Sequence, residues 1–127
     1  MLNDKNAVAN LAVKDLDRAH HFYADTLGLE QINSGDTEVM IFKSGDTTLN
    51  VYRSDYAGTN RATAVTWAVG DELESIADTL KKKGVHFEHY DMPDLKQNGD
   101  IYSHGDMKVA WFKDPDGNIL NLVNVGK

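Results

Sequence analysis

Two stretches of this chain recur in the same order, and that repetition limits its possible folds more than any other feature. Ala12-Val13-Lys14-Asp15 matches Ala68-Val69-Gly70-Asp71, an offset of 56 residues, and the same offset carries Gly28 onto Gly84 and Leu29 onto Val85. Toward the end of each half, Leu49-Asn50-Val51 matches Leu120-Asn121-Leu122 at an offset of 71. The change of offset places about 15 extra residues in the second half, in the polar stretch Asp91 to Ser103. Ordered matches with one insertion read as a duplicated supersecondary unit.

The elements of each copy follow from local chemistry. Val8 to Val13 reads as a strand, and Asp15 as the N-cap of a helix, because its carboxylate can accept from free amides of the first turn. Leu16, Ala19, Phe22, Tyr23 and Leu27 fall near helical spacing, and Gly28 stops the helix. In the second copy Asp71 is expected to cap, with Glu74 three residues on as in a capping box. Leu73, Ile76, Ala77 and Leu80 form the apolar stripe, and Gly84 ends it. Strands are expected at Leu29–Asn33, Glu38–Lys43 and Thr47–Tyr52, and again at Val85–Tyr90, Met107–Lys113 and Asn118–Val125. Ser44-Gly45-Asp46 and Asp114-Pro115-Asp116-Gly117 supply the hairpin turns. The expected organisation is one α+β domain over residues 1–127, with β-α-β-β-β modules at about 7–53 and 62–125 and a linker at about 54–61.

Alternation across the strands separates two faces. One is large and apolar, as packing under a helix demands, and Trp67 falls on it. The other is smaller and mixed, with Asn10, Thr48, Asn50, Tyr52, Thr66 and Asn121. Apolar walls with a few placed polar groups suit a ligand cleft; a solvent-facing sheet has the same pattern. Trp111 and Tyr52 suit stacking against a flat ligand. Met40 and Met107 fit a pocket lining or the core. The insertion Asp91–Asp100 suits a flap, since long loops are often functional.

Composition excludes several classes. With 41% hydrophobic residues in 127, the chain can bury a core. It has no cysteine, so thiolate chemistry and disulfides are out, which fits the cytoplasm. A formal charge of -7 argues against nucleic-acid binding, and Lys81-Lys82-Lys83 reads as a helix C-terminus rather than a phosphate-binding run. No apolar run reaches the length of a membrane span, and Met1-Leu2-Asn3-Asp4-Lys5 lacks the features of a signal peptide. Among the five histidines, His20 and His21 read as helix-flank residues. His86 and Glu88, joined by His104 or Asp106, form a weak alternative for a metal cluster. His104 or His89, oriented by Asp106 or Glu88, is the alternative for a histidine base.

Asn10-Leu11-Ala12-Val13-Lys14-Asp15-Leu16, Phe22-Tyr23 and Leu27-Gly28-Leu29 together resemble the opening of a vicinal oxygen chelate module. Phe112-Lys113-Asp114-Pro115-Asp116-Gly117-Asn118-Ile119-Leu120 resembles its closing hairpin. The superfamily includes glyoxalases, bleomycin-resistance proteins and extradiol dioxygenases. The resemblance implies two modules in a curved, cup-shaped mixed sheet with helices on the outer face, and often a homodimer. Catalytic members hold a divalent metal through one residue on the first and one on the fourth strand of each module. Those places fall here on Val8, Asn50, Ala64 and Asn121. Val8 and Ala64 offer no donor, and neutral amides are weak ligands for zinc, nickel or iron. The resemblance thus implies a small-molecule-binding protein that holds an apolar or aromatic ligand without the family metal, through Asn10, Asn50, Tyr52, Thr66, Trp111 and Asn121. The alternative is a metal-dependent glyoxalase- or dioxygenase-like enzyme with a displaced metal site or a histidine base.

Overall fold

A computed structural model describes residues 1–34 and 38–125. The chain divides into two compact units, Met1–Thr59 and Asn60–Lys127. It is an α+β protein with two mixed sheets.

The first unit runs β1 (Ala9–Val13), α1 (Leu16–His20), a π-helical turn (His21–Thr26), β2 (Glu30–Gln31), β3 (Val39–Ser44) and β4 (Thr47–Arg53). The sheet order is β1-β4-β3-β2, with β1 parallel to β4 and the other neighbours antiparallel. Asp15 caps as expected, accepting from the Arg18 amide at 3.1 Å. The expected regular helix instead widens after His20, where the Leu27 amide reaches the Phe22 carbonyl. That turn buries Phe22 and Tyr23 side by side, and Tyr23 packs on Phe42 at 5.8 Å between ring centroids. Leu11, Val13, Leu49 and Val51 complete this core, and Met40 is buried with them. Strand β2 is shorter than the sequence suggests. Asn33 takes over the ladder, donating to the Val39 carbonyl at 2.9 Å and accepting from the Ile41 amide at 2.7 Å.

The second unit runs β5 (Thr63–Ala68), a short 3-10 turn (Gly70–Glu72), α2 (Leu73–Lys82), β6 (Phe87–Glu88), β7 (Lys96–Asn98), β8 (Ile101–His104), β9 (Met107–Lys113) and β10 (Ile119–Val123). Its sheet order is β5-β10-β9-β8-β7, and β6 also pairs with β9. Strand β5 is parallel to β10, as β1 is to β4. The sequence offsets reappear as register: Asn10 opposite Asn50 becomes Thr66 opposite Asn121, and Leu11 opposite Val51 becomes Trp67 opposite Leu122. Leu73, Ala77, Leu80, Val85, Phe112, Leu120 and Leu122 are buried, and Trp67 stacks on Phe112 at 6.5 Å.

Two local expectations are corrected. Asp71 is not an N-cap, because Gly70 has φ +59 and turns the chain early, leaving Asp71 inside the 3-10 turn. Glu74 pairs with Lys108 at 3.0 Å rather than closing a capping box. The insertion has structure of its own. Its latter half forms the β7–β8 hairpin around Gly99, whose φ of +64 suits the two-residue turn.

Candidate functional site

The expected ligand-face residues separate by unit. In the first unit Asn50 Nδ2 donates to Asn10 Oδ1 at 3.2 Å, so two of the polar groups satisfy one another. Tyr52 lies beyond this pair on the same strand face and is half-buried. In the second unit Asn121 lies between Thr66 on β5 and Trp111 on β9. Asn121 is only 8% exposed, and its Oδ1 has no hydrogen-bond partner. Thr66 is exposed.

Trp111 is the centre of a ligand-like feature in this unit. Its indole N–H donates to Thr63 Oγ1 at 3.2 Å. Two tyrosines meet it edge-on, Tyr90 at 5.5 Å and Tyr102 at 5.4 Å between centroids. Tyr102 is held in turn, because its buried hydroxyl accepts from the Tyr90 amide and donates to the Tyr90 carbonyl at 3.0 Å. Those two bonds explain why β6 stops at Glu88 rather than running to Tyr90: a phenol occupies the backbone groups that a neighbouring strand would otherwise pair.

A hollow of about 230 Å³ opens beside this cluster. Trp111, Tyr90 and Met92 supply its aromatic and thioether wall, Ala62 and Ile119 add apolar surface, and Thr63 and Arg61 add polar groups. Covering of the Tyr90 ring raises the phenol above its ordinary pKa, with Glu88 and Tyr102 adding to the effect. It therefore stays a neutral phenol at physiological pH, and its hydroxyl oxygen is buried without a partner. Of the expected ligand residues Trp111 alone lines this hollow. Tyr90 was legible only as the last residue of the expected strand Val85–Tyr90. Arg61 and Thr63 had no signal beyond lying at the linker's end, and Met92 belonged to the insertion.

The histidine clusters resolve differently from expectation. Glu88 pairs with Lys113 at 3.4 Å, His86 lies exposed just before β6, and His104 ends β8 opposite Met107. Among the described residues no three His, Cys, Asp or Glu side chains gather as a metal site. His89 is oriented by neither Asp106 nor Glu88. It meets Asp100 at 2.8 Å, and Lys81 meets the other carboxylate oxygen at 2.9 Å. His89 first, and Lys81 with it, hold the Asp100 carboxyl below the usual aspartate range. The carbonyl of Asp106 instead accepts from Asn124 Nδ2 at 2.8 Å.

The four positions aligned with the family's metal ligands can be tested against this geometry. Val8 is exposed hydrocarbon. Ala64 sits where the β5–β10 register slips, since Ile119 pairs with Thr63 and Leu120 with Val65. Asn50 donates to Asn10 through its Nδ2, so Asn50 and Asn121 each offer at most a neutral amide oxygen, that of Asn121 being buried without a partner. Two neutral amide oxygens and two hydrocarbon side chains do not fit a catalytic divalent metal.

Comparison with known proteins agrees with this architecture. An integron cassette protein from the Halifax Harbour sewage outfall metagenome superposes with a TM-score of 0.71 at 17% identity, over 96% of this chain and 99% of that one. A mutant of the fosfomycin resistance protein FosX from Listeria monocytogenes, complexed with Mn(II) and 1S,2S-dihydroxypropylphosphonic acid, superposes at 0.74 with 17% identity, over 99% and 93%. A lactoylglutathione lyase from Agrobacterium tumefaciens gives 0.68 at 16% identity, over 94% and 92%. At these identities the likeness establishes the fold. No helix among the described residues is long and apolar enough to cross a membrane. The model of the Glyoxalase/Bleomycin resistance protein/Dioxygenase superfamily matches residues 6–122, and the chain belongs to that superfamily.

Proposed function

We propose that this chain binds a small aromatic molecule in the hollow beside Trp111 and does so without the family's metal. The observation that carries the reading is the preorganised wall: Thr63 fixes the indole, two tyrosines brace it, and the hollow lies against it. A rigid aromatic surface binds flat ligands with little loss of side-chain freedom. The donor set at Val8, Asn50, Ala64 and Asn121 supports binding over metal-assisted chemistry. Asn10, Asn50, Tyr52, Thr66 and Asn121 belong to the same proposal as secondary polar and aromatic contacts. The proposal includes a homodimer, after the habit of the superfamily, and a cytoplasmic location, after the cysteine-free composition.

Thermal-shift screening with single-ring aromatics tests the reading, since a molecule that binds only the folded state raises Tm. Binders should lose about tenfold in affinity on Trp111→Leu, with circular dichroism confirming that the variant is folded. Binders indifferent to that substitution would remove the hollow as the site.

A further inference from the structure

The charge of the hollow narrows the ligand class. Arg61 is the one charged residue among those lining it, and it has no ion-pair or hydrogen-bond partner among the described residues. Glu88, an acid whose charge reaches Tyr90, is paired with Lys113 at 3.4 Å. Tyr90 adds no negative charge, because its covered phenol stays protonated. Met92, Thr63, Ala62 and Ile119 are neutral. An aromatic wall therefore meets one unanswered guanidinium.

We propose that the ligand is a single-ring aromatic anion, such as an arene carboxylate, with its ring against Trp111 and its charge on Arg61. This rests on the reading that the hollow binds aromatics. A guanidinium presents a planar fork of donors that matches a carboxylate at two points. A cationic ligand would meet like charge there. A neutral ring would partly dehydrate Arg61 with nothing in exchange. The indole N–H is committed to Thr63, which leaves Arg61 as the polar anchor. The chain's net charge of -7 opposes an anion at long range, but salt screens exposed charges beyond roughly 8 Å, so the contacting guanidinium decides. Size agrees. The volume of about 230 Å³ lies below the roughly 300–1,000 Å³ of pockets for drug-sized ligands, which favours one ring over an extended antibiotic.

The test is calorimetric titration of the full chain at about 0.15 M salt with benzoate, benzamide and benzylammonium, three probes of similar shape and different charge. Benzoate should bind about tenfold more tightly than benzamide, with benzylammonium weakest. Arg61→Gln should abolish most of the advantage of benzoate over benzamide, and Arg61→Lys should restore part of the gap. Arg61 is exposed on a loop, so these variants leave the core intact. The assignment is overturned if benzoate has no advantage, or if its advantage survives Arg61→Gln. If benzamide binds and responds to Trp111→Leu while benzoate gains nothing, the anion assignment alone fails. If no probe binds, or binding ignores Trp111→Leu, the aromatic-hollow reading fails and the anion assignment falls with it.

Discussion

Replacing Asp114 by alanine should destabilise the protein by about 3 kcal/mol. Asp114 is buried in the β9–β10 turn, three residues beyond Trp111. One carboxylate oxygen accepts from the Asp116 amide at 2.9 Å and the Asn118 amide at 2.8 Å, and the other accepts from Asn118 Nδ2 at 2.7 Å. Each hydrogen bond to a charged acceptor contributes roughly 1.5–3 kcal/mol. The three share one buried carboxylate, and its removal relieves a desolvation cost that offsets part of the loss. For a chain of this size the net loss corresponds to a Tm lower by about 12 °C, read by circular dichroism. Asp114→Asn should fall between, because it keeps one acceptor oxygen but sets an amide N–H₂ against Asn118 Nδ2. The first-half turn supplies the control: Asp46 is exposed, so Asp46→Ala should move Tm by no more than about 2 °C. A shift below about 4 °C for Asp114→Ala, or equal shifts in the two turns, would refute this account of how the hairpin carrying Trp111 is held.

Three further outcomes follow from the same geometry. Gly84→Ala should cost about 1 kcal/mol by urea denaturation; the strain is purely conformational, since Gly84 has φ +95 and an added Cβ meets no atom within 4 Å. Tyr90→Phe should leave stability unchanged or slightly raised, because the buried hydroxyl it removes has no partner; a marked loss would mean that the hydroxyl is satisfied in solution. Asp100→Asn should cost about 1 kcal/mol near neutral pH. Because the Asp100 carboxyl is depressed, its contribution is present above the unfolded aspartate value of about 3.9 and is lost as pH falls through the lower folded value. Wild type and variant should therefore differ above that range and converge in acid, and a gap that persists there would contradict the assignment.

Much of the fold was legible because it rests on short-range chemistry written twice. The two offsets reappear in the strand register, Asp15 binds the amide it was expected to cap, and Gly28 and Gly84 both adopt the left-handed conformation that ends a helix. The misreadings share a cause. The π-helical turn preserves the spacing of Phe22, Tyr23 and Leu27, so periodicity cannot distinguish it from a regular helix. Gly70 stands where the first copy has Lys14, and its backbone freedom moved the start of the second helix past Asp71. The hollow was largely illegible, because it forms from residues with no common period. Arg61 and Thr63 come from the chain entering β5, Met92 from the insertion, and Tyr90 is fixed by a phenol twelve residues away. Of the residues lining the hollow, Trp111 alone announced itself, as a strand aromatic suited to stacking on a flat ligand.

The central claim is that an aromatic ligand binds beside Trp111 without a metal. Its most direct test is one ligand titration followed by tryptophan fluorescence, run on protein stripped with EDTA and repeated after loading with Mn(II) and desalting. The account predicts saturable binding of the same affinity in both samples and far less than one metal retained per chain. Binding that appears only in the Mn(II)-loaded sample, with about one metal per chain, would contradict it.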